Sequence, residues 1–307
     1  MLNLGIIGLS EGNGHPYSWS AIINGDYDEA AMEACGFPVI PAYLRANRDT
    51  LGIPDACVTH IWTQERAVSE HVALASRIEH VVDELEDLVG AVDAVLLARD
   101  DPENHVAMAR PFIESGIPIF IDKPLAYSWD DLAYFSDRVS AGCFVMSCSA
   151  LRYSSGVQSA RVEIPGLGRL ELAVAVGKKD LRKYAIHYLE GLFSLLGDPT
   201  PVCVRHVGST GKDTLMIDFA DGLVATVHVF QDIAPGGELN VYGRDGHLSV
   251  SHGGAYPSFR ASLVEAIRSF REGAPRLPFA TTRNVIGALI AARESLEHGG
   301  RPVRLTL

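Results

Sequence analysis

A doubly wound α/β domain followed by an α+β domain is the fold the sequence predicts, and three observations predict it. Short, fully apolar runs alternate with helical periodicity through the first half, the mark of parallel strands joined by helical crossovers. After Ala150 the runs alternate polar and apolar and are punctuated by Asp221-Gly222 and Asp245-Gly246, a hairpin signature. Finally, 307 residues of which 47% are hydrophobic and 21% charged suit two domains with sizeable cores.

Leu4–Leu9 opens the chain as a strand buried on both faces and runs straight into glycines. A helix follows, and the stretch from Tyr17 to Asp55, with Gly36, Phe37, Pro38 and Pro41, is longer than a crossover needs and reads as an inserted loop. Val58–Trp62 is the next strand, followed by a helix over Glu65–Ser76, a short strand at Ile78–Val82 and a strong one at Ala94–Ala98. A helix through Val106, Ala109 and Ile113 ends at Gly116, a suitable residue just past a helix end. Ile117–Ile121, a helix over Trp129–Val139 and a strand at Phe144–Ser147 complete the first half.

In the second half, Leu170–Val176, Thr214–Phe219, Leu223–Phe230, Glu238–Tyr242 and His247–Ser251 read as antiparallel strands. Helices are expected at Lys183–Leu196, Ser258–Glu272 and Arg283–Leu296. The implied domains are residues 1–124, with the crossing helix and strand of 125–150 associated, and residues 151–307.

Acidic side chains number 38 against 26 basic, a formal net charge of −12, so whole-protein attraction to nucleic acid or an anionic membrane is not expected. The five cysteines (Cys35, Cys57, Cys143, Cys148, Cys203) form no CxxC pair and read as small buried hydrophobes of a cytoplasmic protein. No basic leader and no membrane-length apolar run is visible, and no histidine–carboxylate spacing of a catalytic metal site.

A strand entering glycines is the usual opening of a dinucleotide site, because the backbone there can approach a pyrophosphate at a helix start. The loop Gly8-Leu9-Ser10-Glu11-Gly12-Asn13-Gly14 carries Ser10 and Asn13 where GxGxxG would carry glycine, so an ordinary strand-to-helix turn fits it equally. No aspartate ends the second strand to hold a ribose. Thr63 or Gln64 is the candidate there, and Arg66 the candidate for a 2′-phosphate; one basic residue alone leans the cofactor choice, NAD or NADP, toward NAD. Asp122-Lys123-Pro124 ends a buried strand where open parallel sheets bind ligands, which places Lys123 to hold a ribose or move a substrate proton.

IPIFIDKPLA, preceded by VDAVLLARDDPENHVAMARPFIESG, resembles the Gfo/Idh/MocA oxidoreductases with their Glu-Lys-Pro signature. KYAIHYLEGLFSLLG is similar to the family's DxGxHxxDxxxxxxG helix, with His187 and Gly197 at matching spacing. TLMIDFADGLVATV, VYGRDGHLSV and NVIGALIAARESLEHGGRPVRL resemble its later hairpins and closing helix and strand, so the likeness runs through nearly the whole chain.

The resemblance implies a Rossmann domain joined to an α+β domain with an open, mainly antiparallel sheet that often makes oligomer interfaces. It implies NAD or NADP at the junction and a sugar, cyclitol or related polyol as substrate. By motif position Lys123 and His187 become the proton-handling residues, and Asn104 and His105, with Arg99, the cofactor-contacting loop. Arg152 and Tyr153 fall where substrate contacts occur, and Lys183 replaces the family's acid four residues before the histidine. Lys183, His187 and Glu190 are expected on one helix face. His15, Tyr17 and Trp19 line the nicotinamide or sugar site, or else pack the insertion. The expected activity is a dehydrogenase on CH–OH groups of a homo-oligomeric, cytoplasmic protein. The alternative is a nucleotide-binding sensor that kept the scaffold and lost the reaction, motivated by the altered glycine loop, Lys183 and the missing ribose acid.

Overall fold

The computed structural model describes residues 1–234, 236–251 and 253–306. The chain divides into two units: Met1–Leu125, Ala133–Ser147 and Ser262–Phe279 form one, and Ala126–Leu132, Cys148–Ala261 and Ala280–Leu307 the other.

The first unit holds β1 (Leu2–Ile7), α1 (His15–Asn24), α2 (Glu29–Glu33), α3 (Val39–Ala46), β2 (Ala56–Trp62), α4 (Arg66–Ser76), β3 (His80–Val81), β4 (Ala94–Leu97), α5 (His105–Glu114) and β5 (Ile119–Ile121). Then come α6 (Trp129–Ser140), whose first turn belongs to the second unit, and β6 (Val145–Ser147). Six strands pair in parallel in the order β3-β2-β1-β4-β5-β6, the doubly wound order whose direction reverses beside β1. Burial on both faces explains the unbroken apolar runs: every residue of β4 and β5 is buried. That reversal opens a crevice beyond the carboxyl ends of β1 and β4, which is why the loops after these strands matter.

The insertion after α1 differs from the expected loop. It contains α2 and α3, with Asp28 capping α2 by accepting from the Ala31 N–H, and α3 buries Ile40, Pro41 and Leu44. Glycine and proline punctuation masked two short helices that tertiary packing stabilises.

The second unit is built from α7 (Ser155–Arg161), β7 (Leu170–Lys178), α8 (Ala185–Leu196), β8 (Pro201–His206), β9 (Lys212–Phe219), β10 (Val224–Phe230), β11 (Glu238–Gly243) and β12 (His247–Ser251). α9 (Ala255–Glu272) starts in this unit and ends in the first, and α10 (Phe279–Glu297) and β13 (Val303–Arg304) close the chain. Its sheet runs β12-β11-β7-β10-β9-β8-β13. Both predicted hairpins, β9–β10 and β11–β12, are antiparallel. The sheet is mainly antiparallel, as expected, with one parallel pair: β7 and β10, between which α8 and two further strands intervene in the chain. β8 was not anticipated, although Gly197-Asp198-Pro199 marks a turn before its Pro-Val-Cys-Val-Arg-His run. Ala173, Ala175, Leu215, Ile217, Ala225, Val227, Leu239 and Val241 point to the buried face, and their sequence neighbours Leu172, Val176, Met216 and Tyr242 to the exposed one.

Candidate active site

In the first unit, three loops at the carboxyl ends of parallel strands are tied into one polar web. Ser10, in the glycine loop, donates to Asp100 Oδ1 at 2.7 Å and accepts the Asp100 N–H at 3.1 Å. Lys123, only 7% exposed at the end of β5, has its ammonium 3.9 Å from Asp100 Oδ2. Asn13 donates to Asp122 Oδ2 at 2.9 Å and accepts the His15 N–H at 2.8 Å. His15 Nδ1 lies 2.6 Å from the same Asp122 oxygen, and the Lys123 N–H donates to the other at 2.8 Å. Burial disfavours the Asp122 carboxylate, but the charges of His15 and Lys123 and the bonds from His15 and Asn13 outweigh it and hold its pKa well below the usual range.

Several expected cofactor contacts are spent on building this crevice. Gln64 pairs its amide with both backbone groups of Leu9, at 3.1 Å each, and Arg99 Nη1 donates to the Leu9 carbonyl at 2.8 Å. Arg99 also grips Asp101 with two nitrogens, and Asn104 donates to Asp101 at 2.6 Å. Buried His105 places its two ring nitrogens 2.9 Å from the Leu125 and Arg99 carbonyls, clamping the loops after β4 and β5 together. The Thr63 hydroxyl donates to the Glu65 carbonyl and meets Ser69 Oγ, both at 2.8 Å, which fixes the start of α4. These residues shape the crevice from behind. Tyr17 is likewise a packing residue: it is 5% exposed, its hydroxyl sits 2.8 Å from His71 Nδ1, and burial pushes its pKa up to about 12.

The loop itself suits a dinucleotide in part. Gly12 has φ 77, and no heavy atom lies within 4 Å of where a side chain would begin, so the turn presents open backbone. At Gly8, a Cβ would come within 2.3 Å of the Pro16 ring, which is the close strand–helix approach such loops need. The first helical turn offers less than usual, since the His15 N–H is taken by Asn13 and Pro16 has none. A pyrophosphate would therefore be held chiefly by the backbone around Gly12. Past β2, the exposed carboxylate of Glu65 is the nearest acid in the chain, a candidate the sequence reading passed over because it lies three residues beyond the strand. Arg66 pairs with Glu70 at 2.9 Å and with Asp83.

The second unit carries the other predicted residues. His187 lies in the first turn of α8, and its Nδ1 is 2.7 Å from Ser149 Oγ. It lines a cavity of about 270 Å³ with Tyr184, Tyr188, Leu151, Ser258 and Phe259. Tyr188 accepts the Lys178 N–H at 3.2 Å and Ser258 donates to the Gly254 carbonyl at 3.0 Å. Ser149, Tyr184 and Tyr188 were missed by sequence reasoning; the three-residue spacing of Tyr184 and His187 is the signal that was available.

Arg152 is a correction. It is 2% exposed and bonds Glu190 and, at 2.8 and 3.1 Å, both oxygens of Asp198, so it is a buried structural cation rather than a substrate contact. Glu190, three residues after His187 on α8, is buried at 1% exposure. Lys183 precedes α8, which starts two residues later than predicted, and its N–H is held by Asp180 at 2.8 Å. Tyr153 ends the turn before α7 and is half-buried.

Among curated proteins none matches this sequence significantly. No helix among the described residues is long and apolar enough to cross a membrane. Solved structures resemble it along its whole length. Myo-inositol dehydrogenase from Corynebacterium glutamicum is 16% identical, with a TM-score of 0.75 over 100% of this chain and 99% of that one. Scyllo-inositol dehydrogenase from Lactobacillus casei, with bound NAD(H) and scyllo-inositol, is 12% identical, with a TM-score of 0.76 over 99% of each chain. Myo-inositol 2-dehydrogenase from Lactobacillus plantarum is 13% identical, with a TM-score of 0.76 over 99% of each. At these identities the likeness is one of fold. The family model described as the oxidoreductase family, NAD-binding Rossmann fold, matches residues 35–140, from the insertion through β5 to the end of α6. Residues 35–140 thus match the model of the Gfo/Idh/MocA oxidoreductase family, in a chain whose fold resembles that of inositol dehydrogenases along its whole length.

Proposed function

We propose that the protein is an NAD-dependent dehydrogenase that oxidises a CH–OH group of a sugar, cyclitol or related polyol, with Lys123 and His187 handling the proton. The observation that carries this reading is Lys123 itself. A lysine 7% exposed, at the end of a central parallel strand with a carboxylate 3.9 Å away, is costly to keep unless its charge or proton is used. The bound nucleotide would supply the hydride acceptor. The chain's own work is to fix the glycine loop through Gln64 and Arg99, to aim Lys123, and to hold His187 through Ser149.

NAD is favoured over NADP because Arg66, the basic candidate for a 2′-phosphate, is already matched by Glu70 and Asp83. Replacing Lys123 with Met keeps the stem and removes the ammonium. Turnover on polyols is expected to fall at least about 100-fold, with NAD affinity within a few-fold. Unchanged turnover would refute the assignment. Tight NAD binding by the wild-type protein without oxidation of any sugar or cyclitol would favour the sensor reading instead.

A further inference from the structure

Among the histidines of the described residues, His15 is set apart by a buried carboxylate partner and a partly exposed ring. Both ring nitrogens of His105 face backbone carbonyls, and its side chain is buried. His206 meets Asp213 at 2.9 Å but is sealed at 2% exposure. His71 faces a buried phenol, and His187 and His228 face hydroxyls. His15 pairs with a buried carboxylate while its own side chain is 16% exposed in the Rossmann crevice, at the start of the helix that follows the glycine loop.

We infer that His15, oriented by Asp122, is a further catalytic residue whose Nε2 accepts the substrate's hydroxyl proton. This rests on the dehydrogenase reading and adds a base to it. Asp122 accepts from three donors: Asn13, His15 and the Lys123 backbone. Two of those donors have no other choice, so the carboxylate is an acceptor on all sides and the His15 proton belongs on Nδ1. In its neutral form the ring carries its lone pair on Nε2, the arrangement by which a carboxylate fixes a histidine as a base and stabilises the cation it becomes. Ring orientation is also set: His15 stacks on Trp19 at 4.8 Å and 16°, and buried Trp19 is wedged against Phe120 of β5 at 5.6 Å. In the reaction the hydroxyl O–H bond breaks and its proton goes to Nε2. The carbinol hydrogen leaves with its electron pair to the oxidised nicotinamide nucleotide, and a C=O bond forms.

His15→Asn separates this role from a structural one. The shorter amide keeps a donor near the Nδ1 position for Asp122 and removes Nε2. The expected result is a fall in kcat of about 100-fold or more, with KM and calorimetric NAD affinity within about threefold and the melting temperature unchanged. Wild-type kcat in His15→Asn overturns the proposal while leaving the dehydrogenase reading intact. Absence of polyol oxidation by the wild-type protein overturns that reading and this role with it. An independent readout uses the wild-type apoprotein, where imidazole 15N shifts should place the His15 proton on Nδ1. In Asp122→Asn the same shifts should move toward the other tautomer. A wild-type Nε2–H tautomer overturns the proposal even where the variants fail to fold.

Discussion

Replacing Arg152 with Met should cost this protein about 3–5 kcal/mol of stability, the usual penalty for removing one partner of a buried ion pair. The structure sets where in that range it falls. Glu190 is 1% exposed and loses its only guanidinium, whereas Asp198, 25% exposed at its side chain, can return to water. Burial already pushes the Glu190 pKa up, with Arg152 opposing it, so the folded protein binds this proton more tightly than the unfolded chain does. Between the unfolded value of about 4.3 and the raised folded value, stability therefore falls as pH rises. Without Arg152 the folded value climbs further and the window extends upward. The penalty of Arg152→Met must then be smaller at pH 5, where Glu190 is readily protonated, than at pH 8. Urea unfolding followed by circular dichroism at the two pH values measures both quantities. Adding Glu190→Leu to Arg152→Met removes the stranded acid and should recover much of the loss. A loss below about 1 kcal/mol, or one equal at both pH values, would refute the reasoning and return Arg152 to the list of substrate contacts.

Gly8→Ala drives a methyl to within 2.3 Å of Pro16 and should cost about 1–3 kcal/mol while weakening NAD binding; an unchanged melting temperature and unchanged nucleotide affinity would contradict the close packing at that turn. NAD should bind at least about tenfold more tightly than NADP by calorimetry, since a 2′-phosphate must compete with two carboxylates for Arg66, and the double variant Glu70→Gln, Asp83→Asn should narrow the gap. The half-exposed apolar side chains of Leu172, Val176, Met216 and Tyr242 on one face of the second sheet fit an interface with another copy; light scattering should give a dimer or tetramer that Met216→Glu weakens, and a monomer at micromolar concentration would refute this.

The parallel strands were legible because burial on both faces writes itself into composition: Ala94–Leu97 and Ile119–Ile121 are apolar without interruption. The two Asp-Gly hairpins were legible because their turn geometry restricts residue type. What escaped was set by distant partners. The parallel pairing of β7 with β10 depends on a crossover whose intermediate strand, β8, has an unremarkable local sequence. Thr63, Gln64, Arg99, Asn104 and His105 all lie in the crevice loops or at the helix start that follows, yet their polar atoms are consumed by partners from 2 to 90 residues away, as the Thr63–Glu65 and Arg99–Leu9 bonds illustrate. A sequence shows which donors exist and leaves open which of them the fold will use first.

The departures from the glycine pattern gain a common cause once those partners are known. Ser10 stands where a dinucleotide loop carries glycine, and its hydroxyl bonds Asp100 across 90 residues. Asn13 stands at the next such position, and its amide bridges the His15 N–H and Asp122 across 109. Each substitution adds a side chain that fastens the loop to one of the two carboxylates flanking Lys123. A loop that had merely decayed would show lost contacts and loosened burial, whereas Ser10 and Asn13 are 5% and 4% exposed and fully engaged. The acids in turn depend on them: Asp122, at 1% exposure, takes two of its three bonds from Asn13 and His15. Restoring glycine at Ser10 and Asn13 would therefore bring the sequence nearer the usual dinucleotide pattern and take this protein further from function, because it would strip donors from the carboxylates that hold Lys123 and His15 in place.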